Sequence, residues 1–430
     1  MNYSLEQEIL AVQSYEAFAS ILNGYHLEDF QTADLLKALY HKRYILAYDT
    51  GLGKTLLASA FMKLLRNENP NRKFIMIVLK SQLAQTPKKI RDATGFRITC
   101  ITAEDSVIDS QLLNKDITSS DIIIMTHDCL NNIKVRVALF NNKDLFSGLI
   151  IDEAHELSNI QGASSAFSLF TMCKQFEFVL ALTATPITTK ITQLANLMYI
   201  VNRHAIPDLK TAEEILDRDG VNAFRDVVVT RTRKDLGIFS NYVPHVHMVK
   251  ALPEQSGACG VNMFEITKGR GAYPQVNKLI DIIQNAKPDK GLVYINRHAT
   301  REFVVEELNK TDIRFDCING KTSLLERKRI AEAFNNNQLD IIITSVTSAL
   351  DLDCEYIIFY EFTVNVKQML GRGERGLNPK TLDIHYIFTT HTEEPAYFIR
   401  NIYERSLLVK RVMGQDVNHV IKAVQQMKAF

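Results

Sequence analysis

The chain has no tryptophan, and its six cysteines, at positions 100, 129, 173, 259, 317 and 354, form no C-x-x-C pair. That spacing argues against a zinc site or a disulfide framework and for a reducing compartment. No run of eighteen apolar residues occurs, so no membrane span is expected. The opening Met1-Asn2-Tyr3-Ser4-Leu5-Glu6 lacks the basic and apolar regions of a signal peptide, and the expected location is cytoplasmic. Neither sign of charge dominates: 50 Lys and Arg against 49 Asp and Glu leave a formal net charge of +1. Nucleic-acid binders usually carry a basic bias, so any such surface here must be local. Without tryptophan, base stacking would fall to the 15 Tyr and 22 Phe.

What is present fits a globular protein, with 46% hydrophobic and 23% charged residues. At about 150 residues per domain, 430 residues allow two or three domains. Residues 1–23 read as a short helical extension. Strand signals follow at 44–48, 74–79, 98–101, 121–125, 148–151 and 178–182, with helical stretches at 29–40, 55–67, 81–92 and 190–200. Such alternation predicts an α/β domain built on a parallel sheet, over residues 24–235. Pro and Gly break the pattern over 236–272, which reads as a linker. A second α/β domain, 273–393, has strands at 291–295, 314–318, 339–343, 355–360 and 383–388, and helices at 275–286, 299–310, 323–336 and 365–370. Residues 394–430 read as a helical cap.

Chemistry is concentrated first in Tyr48-Asp49-Thr50-Gly51-Leu52-Gly53-Lys54-Thr55, between an apolar strand and a helix. A loop so placed turns backbone N–H groups toward phosphates, and the helix N-terminus adds its dipole. Thr50, Gly51 and Gly53 shape the cradle, Lys54 reaches the β/γ-phosphates and Thr55 holds Mg²⁺. The strict pattern wants Gly where Tyr48 stands. The second feature is Leu149-Ile150-Ile151-Asp152-Glu153-Ala154-His155, a buried strand ending in two acids. Ligands of open α/β sheets bind at such ends. Asp152 suits Mg²⁺, directly or through water, and Glu153 suits polarising the attacking water. A strand followed by an acidic helix cap is the plainer alternative.

These motifs and their order resemble superfamily 2 helicases and translocases, most closely the Snf2-like and phage-type DNA enzymes, and a viral source is one expectation. The resemblance implies two RecA-like domains in tandem with an ATP cleft between them. Gln31, in Leu27-Glu28-Asp29-Phe30-Gln31, would then read adenine; an ordinary helix-start glutamine is the alternative. Asp152 to His155 spell the DEAH box. His155 would couple the ATP site to Thr183-Ala184-Thr185-Pro186, with Thr183 and Thr185 as coupling hydroxyls. Lys80 and Gln82, and Thr126 and His127, would hold a nucleic-acid backbone without reading sequence. Val229-Thr230-Arg231-Thr232-Arg233-Lys234-Asp235-Leu236 resembles the Arg-rich ending of a Snf2-like first domain.

In the second half, Asn319 and Gly320, and Thr344 and Ser345, fall in backbone-contacting motifs. The glycine that such enzymes carry near Leu350 is missing. Gln368-Met369-Leu370-Gly371-Arg372-Gly373-Glu374-Arg375 resembles the sixth motif, which implies Arg375 as an arginine finger, Arg372 at the phosphates and Gln368 orienting water or the finger. The resemblance implies an ATP- and Mg²⁺-dependent DNA helicase or translocase acting as a monomer on forked, branched or duplex DNA in replication or recombination. Duplex translocation without strand separation is the alternative, and RNA is a weaker candidate substrate.

Overall fold

The computed structural model describes residues 21–429 except 84, 103–115, 159–171, 188–189, 239–240, 254–273, 346–351, 364–365 and 374–380. At 81, 324, 367, 368, 372 and 373 only the backbone is described. Most of the expected N-terminal extension, Arg375 and the segment around Leu350 therefore lie outside the described residues. The chain divides into two compact units, Met1–Arg231 and Thr232–Phe430. Among the described residues no helix is long and apolar enough to cross a membrane.

The first unit is a seven-stranded parallel sheet in the order β3-β4-β2-β5-β6-β1-β7. Its strands are β1 (Arg43–Tyr48), β2 (Lys73–Val78), β3 (Ile98–Ile101), β4 (Ile122–Thr126), β5 (Phe146–Ile151), β6 (Phe178–Thr183) and β7 (Val228–Arg231). Every residue of β4 and β6 is buried, as expected of strands covered on both faces. The helices are α1 (Asp29–His41), α2 (Lys54–Glu68), α3 (Thr86–Thr94), α4 (Ile133–Asn141), α5 (Ile191–Asn202) and α6 (Leu209–Asp219). The helix predicted over 81–92 is split. A 3-10 turn at Lys80–Gln82 comes first, and Pro87 in the first turn of α3 restarts the helix, because proline lacks the N–H an interior position would need.

The second unit is a six-stranded parallel sheet in the order β10-β11-β9-β12-β13-β8. Its strands are β8 (Asn241–Val249), β9 (Gly291–Tyr294), β10 (Phe315–Ile318), β11 (Ile341–Thr344), β12 (Tyr356–Phe359) and β13 (Thr381–Thr389). Helices α7 (Pro274–Ala286), α8 (His298–Leu308), α9 (Leu324–Asn335), α10 (Val366–Gly373), α11 (Glu394–Phe398), α12 (Glu404–Met413) and α13 (Asn418–Met427) accompany it. Two apolar clusters form its core. Leu292, Ile342, Ile357, Phe359 and Tyr386 share one with Phe334 of α9, Met369 of α10 and Val420 of α13. Val293, Ile341, Ile343, Ile358 and Ile387 share the other with Leu279 of α7 and Val304 of α8. Neighbouring residues fall in opposite clusters, which is the period of two expected of a sheet covered on both sides.

The stretch read as a linker contributes β8, paired along its whole length with β13. Pro244 disguised it, but β8 is an edge strand, where proline is tolerated. Gln426 of α13 covers that edge: its Oε1 accepts from Val246 N at 3.0 Å, and its Nε2 donates to Pro244 O at 2.9 Å.

One device occurs in both units. Asp121, just before β4, accepts from the backbone N and the guanidinium of Arg97, just before β3. Asp340, before β11, does the same for Arg314, before β10. In each case the aspartate N donates back to the arginine carbonyl, at 2.9 and 2.7 Å, so the starts of two adjacent strands are fixed in register. The fold is therefore two RecA-like parallel-sheet domains in tandem.

Candidate nucleotide-binding site

Strands β1, β2, β4, β5 and β6 all run the same way, so the segments that follow them share the C-terminal edge of the first sheet. After β1 the chain turns through Gly51 (φ 81°) and Gly53 (φ 78°) into α2. Both conformations favour glycine. At Gly53 space is a second constraint, since a Cβ would lie 2.3 Å from Gln31 Nε2. The first turn of α2 has no acidic residue, so its positive end is not neutralised locally. Lys54 folds back across the loop, donating to Tyr48 O at 2.9 Å and Asp49 O at 3.2 Å. Thr50 and Thr55 are half-buried, and Gly51 is exposed.

Gln31 packs directly on this loop. Its Oε1 accepts from Glu28 N at 2.9 Å, closing a capping box at the start of α1, and its Nε2 donates to Leu52 O at 3.0 Å. The amide expected at adenine thus also braces the phosphate loop. Tyr48, the departure from the strict pattern, is fully buried. Its hydroxyl donates to Asp34 Oδ2 at 2.8 Å. Asp34, also fully buried, receives a two-pronged bond from Arg231 at the end of β7, Nε to Oδ2 at 2.6 Å and Nη2 to Oδ1 at 2.7 Å. Burial, then Asp34, raises the Tyr48 pKa, so the phenol stays protonated. Asp34 and the use of Tyr48 were not legible in the sequence, since nothing local links positions 34, 48 and 231.

Asp152 follows β5, with its N donating to Ile77 O of β2 at 2.8 Å. Its carboxylate is buried. Oδ1 accepts from Glu153 N at 2.9 Å and Oδ2 from Gln82 Nε2 at 3.0 Å. Burial and the neighbouring Glu153 raise its pKa, while Lys54 opposes the rise. Glu153 has φ 47°, an uncommon conformation for a side-chain-bearing residue. Its Oε2 is buried and accepts no hydrogen bond among the described residues, although His155 Nδ1 lies 3.5 Å away. Strain and a buried acceptor without a hydrogen bond at a strand end are marks of a working residue rather than a structural one.

His155 Nδ1 lies 3.0 Å from Thr183 Oγ1, and Thr183 Oγ1 accepts from Thr185 N at 3.1 Å. One chain of contacts therefore runs from the Asp152–Glu153 segment to the end of β6. His127 Nε2–H donates to Asp152 O at 3.0 Å, and burial lowers the His127 pKa, which keeps the ring neutral.

The residues expected at a nucleic-acid backbone behave differently from one another. Lys80 is exposed. Gln82 has its amide on Asp152. Thr126 is buried with its hydroxyl 3.4 Å from Cys129 Sγ, so its side chain has no surface to offer a phosphate. In the second unit, Asn319 and Gly320 follow β10 in a turn held by Arg327, which donates to Asn319 O at 2.8 Å and Thr322 O at 2.9 Å. Gly320 is exposed, Thr344 is buried at the end of β11, and Ser345 is half-buried. Gln368 and Arg372 lie on α10.

The first unit's arrangement fits a nucleoside triphosphate with Mg²⁺. Lys54 and the loop amides suit the phosphates. Among the described residues no group of three or more His, Cys, Asp or Glu could hold a metal alone. Mg²⁺ in phosphoryl-transfer sites needs only one or two carboxylates besides phosphate oxygens and water, which Asp152 and the Thr55 hydroxyl can supply.

A glycine-turned loop beside an Asp-Glu strand end on one parallel sheet, with a second parallel sheet downstream, defines the class of two-domain RecA-like proteins. Residues 9–188 match the family described as type III restriction enzyme, res subunit, and residues 274–378 match the helicase conserved C-terminal domain. The chain belongs to the superfamily 2 helicase and Snf2-like ATPase family.

Its relatives include the SWI/SNF-related matrix-associated actin-dependent regulator of chromatin subfamily A-like protein 1 of Xenopus tropicalis, 22% identical over 82% of this chain and 41% of that one. The uncharacterized ATP-dependent helicase YqhH of Bacillus subtilis is 21% identical, over 98% of this chain and 86% of the relative. The Sulfolobus solfataricus SWI2/SNF2 ATPase core in complex with dsDNA aligns at a TM-score of 0.44 and 18% identity, over 95% of this chain and 97% of that one. The chain spans about two fifths of the length of the Xenopus relative. A viral source finds no support among these relatives.

Proposed function

We propose that the chain couples ATP hydrolysis to movement along duplex DNA. The observation that carries the catalytic half is Glu153, held at positive φ beside Asp152 with a buried carboxylate oxygen that accepts no hydrogen bond among the described residues and has His155 Nδ1 at 3.5 Å. In this reading Lys54 and the loop amides grip the phosphates, and Asp152 with Thr55 holds Mg²⁺, which neutralises charge on the transferred group. Glu153 orients the attacking water. Gln31 serves adenine. His155, Thr183 and Thr185 pass the state of the phosphates into the sheet. Gln368, Arg372 and Arg375 of the second unit complete the site, with Arg375 as the finger.

Lys80, His127, Asn319, Gly320 and Ser345 are candidates for the strand backbone. They are polar, sequence-blind contacts suited to a sliding motor, and such contacts make binding salt-sensitive. Support for duplex translocation comes from the SWI/SNF-related name of one relative. Strand separation on forks or junctions is the second reading, favoured by the helicase name of the Bacillus relative.

One assay tests both readings. The protein and ATP are incubated with a triplex-bearing duplex, a fork, a four-way junction and an RNA duplex. Triplex displacement with intact forks is the expected result. Turnover stimulated by RNA alone would overturn the DNA assignment, and opening of forks or junctions would move the reading to a helicase.

A further inference from the structure

We propose that Gln82 is a positioning residue for Asp152, and that the Lys80–Gln82 turn carries the presence of a nucleic-acid backbone to the nucleotide site. The inference rests on the function proposed above and adds to it a named connection.

Strands β2 and β5 are neighbours in register, with Ile77 opposite Ile151. The segments leaving them are therefore adjacent. The turn begins two residues beyond the end of β2. It presents its two polar ends in different directions: Lys80 is exposed, and Gln82 is directed inward to Asp152. Gln82 uses both ends of its amide. Oε1 accepts from Leu79 N at 2.9 Å, which closes the turn, and Nε2 donates to Asp152 Oδ2 at 3.0 Å. A side-chain amide has an acceptor and a donor to offer at once, and a carboxylate or thioether of similar size does not.

On its other oxygen Asp152 accepts from Glu153 N at 2.9 Å, and its carbonyl accepts from His127 at 3.0 Å. The carboxylate is thus held on both oxygens by one N–H each, which fixes its plane and leaves further lone pairs for a cation or its water. Two of the three holds come from the segments after β2 and β4, which also carry the exposed Lys80 and Asp128. A shift of the Lys80 turn on binding a phosphate backbone would move Nε2 relative to Oδ2, because the turn is only three residues long and pinned at Leu79. Orienting partners of this kind typically change metal affinity or activity about 10- to 100-fold when removed.

The test uses the full chain and two variants. Gln82→Met removes both bonds. Gln82→Glu keeps the acceptor that closes the turn and loses the donor to Asp152. Mn²⁺ binding is followed by electron paramagnetic resonance in the presence of a non-hydrolysable ATP analogue, duplex DNA affinity by anisotropy, and ATPase rate with and without DNA. For Gln82→Met the expected result is Mn²⁺ affinity weakened about tenfold, with duplex affinity lowered as the Lys80 turn opens. Both variants should lose the stimulation of turnover by DNA.

Wild-type Mn²⁺ affinity in Gln82→Met, or full DNA stimulation in Gln82→Glu, would overturn the proposal. If wild-type protein shows no DNA-stimulated turnover, the function proposed above fails instead, and the Mn²⁺ measurement still decides the role of Gln82.

Discussion

At the scale of single residues, one ion pair of the first unit has a fully buried acid. Asp34 is fully buried and bound by Arg231, Tyr48 and, at 3.1 Å, Lys37. Arg231 ends β7, Tyr48 ends β1 and Asp34 lies on α1, so the three tie the edge of the sheet to the start of the phosphate loop. Removing one partner of such a pair leaves an uncompensated charge, which costs more than the pair itself contributes. Arg231→Met is therefore expected to destabilise the first unit by about 3 kcal/mol, the low end of the usual range because Lys37 remains. Asp34→Asn, which keeps acceptor capacity, should cost about 1–2 kcal/mol. Hydrogen exchange at the α1 amides under increasing urea measures both without assuming a single transition for two units. Protection in Arg231→Met equal to wild type would show the pair to be dispensable. The same contacts explain a tyrosine where glycine is usual: its ring is taken into the core, and the turn itself is made by Gly51 and Gly53.

At the scale of elements, β8 and β13 place three imidazoles on one face. His245 stacks on His385 at 4.8 Å, His385 on His247 at 5.2 Å, and His247 Nε2 is 3.0 Å from His385 Nδ1. His245 Nε2 is 2.7 Å from Asp383, Tyr356 of β12 meets His385 edge-on, and Lys278 of α7 adds a positive charge. Burial, then Lys278 and His245, pushes His247 down to about 4. Burial, then His245, His247 and Lys278, pushes His385 down to about 3. Both rings are neutral in the folded unit and titrate near 6.5 when unfolded. The unfolded chain then binds more protons between those values, so stability falls as pH drops through 6.5 toward about 3 and is fully present above it. The melting temperature of the second unit should decline from pH 7 to pH 4.5, and the double variant His247→Gln, His385→Gln should decline less steeply. Equal slopes would mean that carboxylates elsewhere control the acid limb.

This sheet also shows what a sequence can and cannot announce. Its central strands read as apolar runs. Strand β8 hid behind Pro244 and its histidines, because edge position and a covering glutamine from α13 are facts of the third dimension. Likewise the phosphate loop and the Asp-Glu strand end are local patterns with a chemical meaning, whereas the Gln82–Asp152 bond spans seventy positions and has no local signature.

At the scale of the whole molecule, the two sheets differ in what they can do alone. The first unit carries the phosphate loop, Asp152 and Glu153. The second repeats the strand-start Asp–Arg device of the first, yet nothing in its sequence resembles a phosphate-loop lysine. Its chemical contribution is proposed to come from Gln368, Arg372 and Arg375. A guanidinium offers a planar fork that matches phosphate oxygens and stays charged at any working pH. An arginine supplied to a phosphoryl group acts mainly on the transition state, so its loss should appear in kcat rather than in nucleotide affinity. Arg375→Ala is expected to bind a fluorescent ATP analogue within about twofold of wild type and to lose about 10³-fold in DNA-stimulated turnover. Glu153→Gln should resemble it, with affinity kept and turnover reduced about 10²- to 10⁴-fold. Lys54→Ala should lose binding itself. Steady-state ATPase at saturating DNA, alongside analogue titration, separates the three patterns. Unchanged turnover in Arg375→Ala would mean that the second unit does not serve the nucleotide held by the first, and the coupling of hydrolysis to movement would then have to arise within one sheet.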